Sequence, residues 1–231
     1  MAFPEYSTIR DLVLTELASA FKVYGDMTGE WPMDGACEGL VQGRIAEHLF
    51  NKLRTEKRIT DPMVTVESAY KKVAEFANGL ERFNFEKFDK DNELREHWRL
   101  MDALGRNQRA DIVAWEEKKP RAVIEIKLAW KREVCFTDVW RTAAAVYAHG
   151  PRPHEGTLNV GITAFCVRDW DTEGGILKDV KDQINERWCD ASFPSEWRKN
   201  LCLGFKHDPR VRDGPNDGSK IYPFCVTVSP R

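Results

Sequence analysis

Residues 109–130 read "RADIVAW", "EEKKP", "RAVIEIKLAW", and their reading decides the fold. The two apolar runs are predicted strands, and side chains alternate between the two faces of a strand. Asp111 therefore shares a face with Val113 and Trp115, while Ile112 and Ala114 point the other way. In the second run Val123, Glu125, Lys127 and Ala129 share one face, and Ile124, Ile126, Leu128 and Trp130 fill the other. One face of each strand is wholly apolar. The other is mostly apolar but carries Asp111, Glu125 and Lys127.

The register sharpens the problem. Taking "EEKKP" as a five-residue hairpin loop sets Trp115 opposite Arg121, Val113 opposite Val123 and Asp111 opposite Glu125. Directly opposed side chains have Cβ atoms about 5 Å apart, and like charges at that distance repel, more so on a half-buried face. A proton, a cation from the protein such as Lys127, or a bound metal would each relieve the repulsion. A hard ion such as Mg²⁺ is held by one or two carboxylates, with waters and substrate phosphate completing its shell. An isolated Glu-x-Lys reads first as an ordinary exposed strand face. The opposed Asp111 argues against that reading, because ladders avoid opposed like charges.

Working outward, the spacing predicts a helix over 7–24, a Gly- and Pro-rich loop, and a second helix over 36–56. On the second helix Val41, Ile45, Leu49 and Leu53 form an apolar stripe. Glu38 falls on that stripe and Gln42 beside it, whereas Glu47 falls on the solvent side. An acid in a first helical turn also benefits from the helix dipole, so Glu38 carries two readings, N-terminal charge and site residue. "MVTVESAY" predicts a short strand, residues 69–105 a helical insertion, 137–148 a helix and 158–167 a further apolar strand. The tail, 169–231, reads as an extension with a helix over 173–189 and a last strand, "IYPFCVTVS". The order of elements predicts a single α/β domain around one mixed sheet flanked by helices.

Composition narrows the function classes. The 231 residues carry a formal net charge of −2, so attraction to a polyanion has to come from local clusters. Arg106 and Arg109 enter the Asp111 strand, Lys131 and Arg132 follow Lys127, and Arg141 lies on the next helix. These are candidate phosphate contacts, together with Gln42, with surface ion pairs to neighbours such as Glu133 and Asp138 as the alternative. His149 and His154 read as loop histidines. No signal peptide and no membrane-length apolar run is evident, and six scattered cysteines without metal-type spacing read as reduced thiols of a cytoplasmic protein.

An acid on a helix, an Asp on one strand and Glu-x-Lys on the next, in the order αβββαβ, resembles the PD-(D/E)xK nuclease superfamily. The resemblance covers about residues 36–168, and Ala110 stands where the motif name has Pro. It implies a restriction-endonuclease-like core and Mg²⁺-dependent hydrolysis of phosphodiester bonds, with Mn²⁺ as a substitute. Carried over by the resemblance, Asp111, Glu125, the Ile126 carbonyl and Glu38 are the expected metal ligands. Lys127 is the expected residue for orienting the attacking water. A DNA endonuclease, with homodimerisation for double-strand cutting, is the expectation. A nuclease-fold binding or assembly module without catalysis, an RNA-cleaving relative and a purely structural α/β domain are the alternatives.

Overall fold

A computed structural model describes residues 6–28, 38–56, 59–78, 108–151, 155–170, 175–190, 193–209, 212–213 and 218–231. The predicted α/β class is what the chain adopts. In chain order the elements are α1 (Tyr6–Thr28), α2 (Glu38–Thr55), β1 (Pro62–Ala69), α3 (Tyr70–Asn78), β2 (Arg109–Glu116) and β3 (Lys119–Lys127). There follow α4 (Arg132–His149), β4 (Val160–Asp169), α5 (Gly175–Cys189), α6 (Ser195–Asn200), β5 (Leu201–His207), β6 (Arg212–Asp213) and β7 (Lys220–Pro230). The strands form one open mixed sheet in the order β1-β2-β3-β4-β7-β5, with β6 added on β7. Only the β3–β4 pairing is parallel, joined across α4.

Alternation along the strands splits the core into two layers. Ile112, Ala114, Ile124, Ile126, Ile162 and Ala164 face α1 and α2, where they meet Leu17, Phe21, Val41, Ile45 and Leu49. Val113, Trp115, Val123, Phe165 and Val167 face the side of α3, α4, α5 and α6, with Val139, Ala143, Trp188 and Trp197. Both faces of β2 and β3 are buried, as strands without a polar face require. Helix α4 lies unusually close to β4. A Cβ added to Gly161 would come within 2.7 Å of the Thr142 Cβ and 2.9 Å of the Thr142 carbonyl oxygen, so only glycine admits this approach.

Three expectations change. The β2–β3 connection is a two-residue turn, not a five-residue loop: Glu116 pairs with Lys119, and Glu117 and Lys118 both take positive φ, 50° and 62°. Trp115 pairs with Pro120 rather than Arg121. A bulge between Ala114 and Trp115 absorbs the odd residue, so Val113 still faces Val123 and Ile112 faces Ile124, and the ladder ends there, one step short of the predicted Asp111–Glu125 pair. Second, β3 ends at Lys127. Trp130 lies past the strand, donates its N–H to the Cys166 carbonyl at 2.7 Å and packs on Phe136 and Phe165, in the layer opposite to the one expected. Third, residues 201–207 form a strand that the sequence reading of the tail did not predict.

Of the predicted insertion, α3 is described and the remainder lies outside the described residues, as do Arg106, His154 and Cys37. The five described cysteines are unbridged. No described helix is long and apolar enough to cross a membrane.

Candidate active site

Asp111 of β2 and Glu125 and Lys127 of β3 converge at the end of the sheet where β3 finishes. Asp111 is held by the backbone of the neighbouring strand, its Oδ2 accepting the Ile126 N–H at 2.6 Å. Glu125, 1% exposed, accepts a 2.6 Å hydrogen bond from the Tyr70 hydroxyl on Oε1, and an Arg141 guanidinium nitrogen stands 3.6 Å from the same oxygen. Lys127 donates to the Glu38 Oε1 at 3.0 Å and to the Ile126 carbonyl at 2.9 Å. Its ammonium also lies 3.9 Å from Asp111 Oδ2 and 3.7 Å from Asp138 Oδ2. Arg141 and Asp138, one turn apart on α4, are 2.7 Å apart.

Each group is supplied for a local reason. Glu38 opens α2, where a carboxylate faces the positive end of the helix dipole. Tyr70 opens α3 directly after β1, and its backbone N–H is fixed to the Gln108 carbonyl at 3.1 Å. Asp138 shares the buried face of α4 with Cys135, Val139 and Thr142. The ladder between β1 and β2 skips Glu67, whose φ of 52° is unusual for a non-glycine residue, and this irregularity lies between the Val66–Ile112 and Ser68–Ala110 pairs that flank Asp111.

Burial decides the electrostatics. Desolvation, assisted by the charges of Asp111 and Asp138, raises the Glu125 carboxyl to about 8. Desolvation also raises Asp111 to about 6, against the lowering effect of the Ile126 N–H and Lys127. The Asp138 carboxyl is raised by the same cause. Burial alone would lower the Lys127 ammonium, but Asp138, Asp111 and Glu38 together raise it. Perturbed carboxylates gathered around a lysine mark a functional site more often than an ordinary surface.

Four carboxylates (Glu38, Asp111, Glu125, Asp138) face two cations (Lys127, Arg141). Fully ionised, this cluster carries two negative charges in excess, which one divalent cation balances. The donors are all oxygen, the type a hard cation takes. Among the described residues no three His, Cys, Asp or Glu side chains already converge as a ligand group. In the cluster the ammonium and guanidinium stand between the carboxylates. The donor set is of the chemistry and charge that Mg²⁺ or Mn²⁺ takes.

The structure brings Glu38, Asp111, Ile126 and Lys127 into contact, with Glu125 linked to them through Arg141 and Asp138. It also adds Tyr70 and Asp138, which the sequence reading did not select. Arg141 points into the cluster, with 17% of its side chain exposed. Arg109, Lys131 and Arg132 are exposed, whereas Gln42 is buried on α2 at 7%. The face of α4 held a signal for Asp138, because an acid stands there among Cys135, Val139 and Thr142. Tyr70 gave none, since an aromatic residue at a strand–helix junction usually packs in the core. Compared with family models, with curated proteins and with solved structures, the chain matches none.

Proposed function

We propose that the chain is a divalent-cation-dependent nuclease of PD-(D/E)xK type, acting on DNA as an endonuclease. The observation that carries this reading is the convergence of Asp111, Glu125, Lys127, Glu38 and the Ile126 carbonyl, from three separated segments, on one buried end of the sheet. The element order α2-β1-α3-β2-β3-α4-β4, which is αβββαβ once the inserted α3 is set aside, supports the restriction-endonuclease-like core that the resemblance implies.

The cation, when bound, would supply Lewis-acid stabilisation of phosphoryl charge and a more acidic water. The residues of the chain do the rest. Asp111 is oriented through Oδ2 by the Ile126 N–H, which leaves Oδ1 to act as a ligand. Glu125 is oriented through Oε1 by Tyr70 and Arg141, which leaves Oε2. Lys127 is the group that positions the attacking water and offsets negative charge as it develops on the phosphoryl oxygens. Exposed Arg109, Lys131 and Arg132 are the phosphate contacts that set the substrate in register.

Incubation with supercoiled, linear and single-stranded DNA and with RNA, in Mg²⁺, Mn²⁺ or chelator, tests the proposal. Cation-dependent DNA cleavage is expected, with Asp111→Asn and Lys127→Met each lowering the rate on the order of 10²-fold or more. Cleavage that survives chelator, or that both variants retain, would overturn the reading. Cleavage confined to RNA would replace the substrate class and keep the chemistry.

A further inference from the structure

Trp170 has no part in the chemistry described so far. It follows directly on β4 and is 66% exposed, whereas the other described tryptophans are buried or half-buried. Tryptophan is highly buried on average, although a single exposed aromatic is by itself ordinary surface. Trp170 differs in how it is held. The Arg168 guanidinium lies over its ring, 5.0 Å from the centroid. Arg168 is itself tethered, its Nε donating at 3.1 Å to the hydroxyl of Ser219, a residue 1% exposed just ahead of β7. It is also paired with Ile221 in the β4–β7 ladder. The indole is thus held by a cation that the sheet anchors, while most of the residue stays open to solvent.

The position of the pair is equally telling. Strands β3 and β4 run parallel, and ligands of open α/β sheets gather beyond the carboxyl ends of such strands. Phe165 is level with Lys127 in that pairing, so Trp170 stands five residues further along, about 16 Å at strand rise. Arg168 alternates with Ala164 and Cys166, which face α1 and α2, the layer from which Glu38 reaches Lys127. The chain leaving β3 runs beside this stretch of β4. The Trp130 N–H bonds the Cys166 carbonyl at 2.7 Å, and the exposed Lys131 and Arg132 come next. A polyanion held at the cluster by these cations has the indole within reach.

We infer that Trp170, held by Arg168, is a stacking platform for an unpaired base of the nucleic-acid strand bound at the cluster. This deepens the nuclease reading given above and rests on it. An aromatic face accepts any base, since every base has a π-face, and an arginine beside it adds to the attraction. Inside a duplex both faces of a base are already covered by its neighbours. The platform therefore favours a substrate with single-stranded nucleotides beside the cut, such as an overhang or a junction. At about 3.4 Å per stacked nucleotide, the distance from Lys127 places the stacked base within about five nucleotides of the scissile phosphate.

Fluorescence anisotropy in Ca²⁺, with cleavage held off, tests this with a labelled single strand of mixed sequence and the blunt duplex of the same sequence. Trp170→Ala is expected to lower the preference for the single strand over the duplex about fivefold or more. Trp170→Phe, which keeps a stacking face, is expected to restore most of it. Circular dichroism checks that both variants are folded. An unchanged preference in Trp170→Ala, or no recovery in Trp170→Phe, overturns the platform. A second measurement uses the unsubstituted protein and a duplex with a single-stranded arm, with 2-aminopurine placed at one position at a time. Quenching at a position in the arm is expected, and quenching at none overturns the platform. Binding is read without cleavage, so the two readings fail separately. A Trp170-dependent preference without cation-dependent cleavage supports the platform and overturns the nuclease. Cation-dependent cleavage with an unchanged preference overturns the platform alone.

Discussion

At the scale of the residue, the buried Glu125 carboxyl has a direct consequence for stability. It is raised from 4.5 to about 8, so across that interval the folded chain holds a proton the unfolded chain has released. Stability therefore falls as pH rises through the interval, and the full cost is present above about 8. Asp111 adds the same sign between 3.8 and about 6. Urea unfolding in chelator is expected to show a less stable protein at alkaline than at mildly acidic pH, by on the order of a few kcal/mol. Glu125→Gln should remove most of the dependence above pH ~6; an unchanged slope in that variant would reject the assignment. Added Mg²⁺ should offset the loss, since it favours the ionised carboxylates. Asp111, Glu125 and Lys127 were legible from alternation and one register, and Glu38 from its place on a helical stripe. Asp138 was marked only by its place on the buried face of α4, and Tyr70 reaches the site through packing between α3 and the sheet, which no local pattern encodes.

At the scale of the element, the β2–β3 hairpin shows what a strand pattern settles and what it leaves open. The apolar pair Val113–Val123 fixed the register, because slipping by one residue would exchange the side chains of the two core layers on either side of the strands. The turn could not be read, since a shortened loop and a bulge compensate each other. Glu117 and Lys118 occupy left-handed conformations that suit Asn and Gly. Replacing the pair by Asn-Gly is expected to stabilise the protein by about 0.5–1 kcal/mol, or about 2–4 °C at most. A fall in the melting temperature would show that these side chains contribute something the backbone geometry does not reveal. Strand β5 went unread for a different reason: Gly204, Lys206 and His207 dilute its apolar alternation, and its pairing with β7 is what makes it a strand.

At the scale of the whole molecule, a chain of net charge −2 has few ways to hold a polyanion. Arg109, Lys131 and Arg132 are the exposed cations proposed as contacts, and each phosphate contact contributes about −0.9 to the slope of log affinity against log salt. Binding to duplex DNA, measured with Ca²⁺ in place of Mg²⁺, is expected to have a slope of about −3, and Lys131→Ala should reduce it by about one. A slope of about −6 or steeper would overturn this count of contacts. The site also has a temporal meaning. Glu38 and Lys127 are 89 positions apart, and Tyr70 and Glu125 are 55 apart. Pairings across such distances form after local structure, because long loops must close first. A ribosome releasing this chain therefore exposes α2, the β2–β3 hairpin and α4 before their charges can meet, and whatever chemistry they perform begins only when the fold is complete.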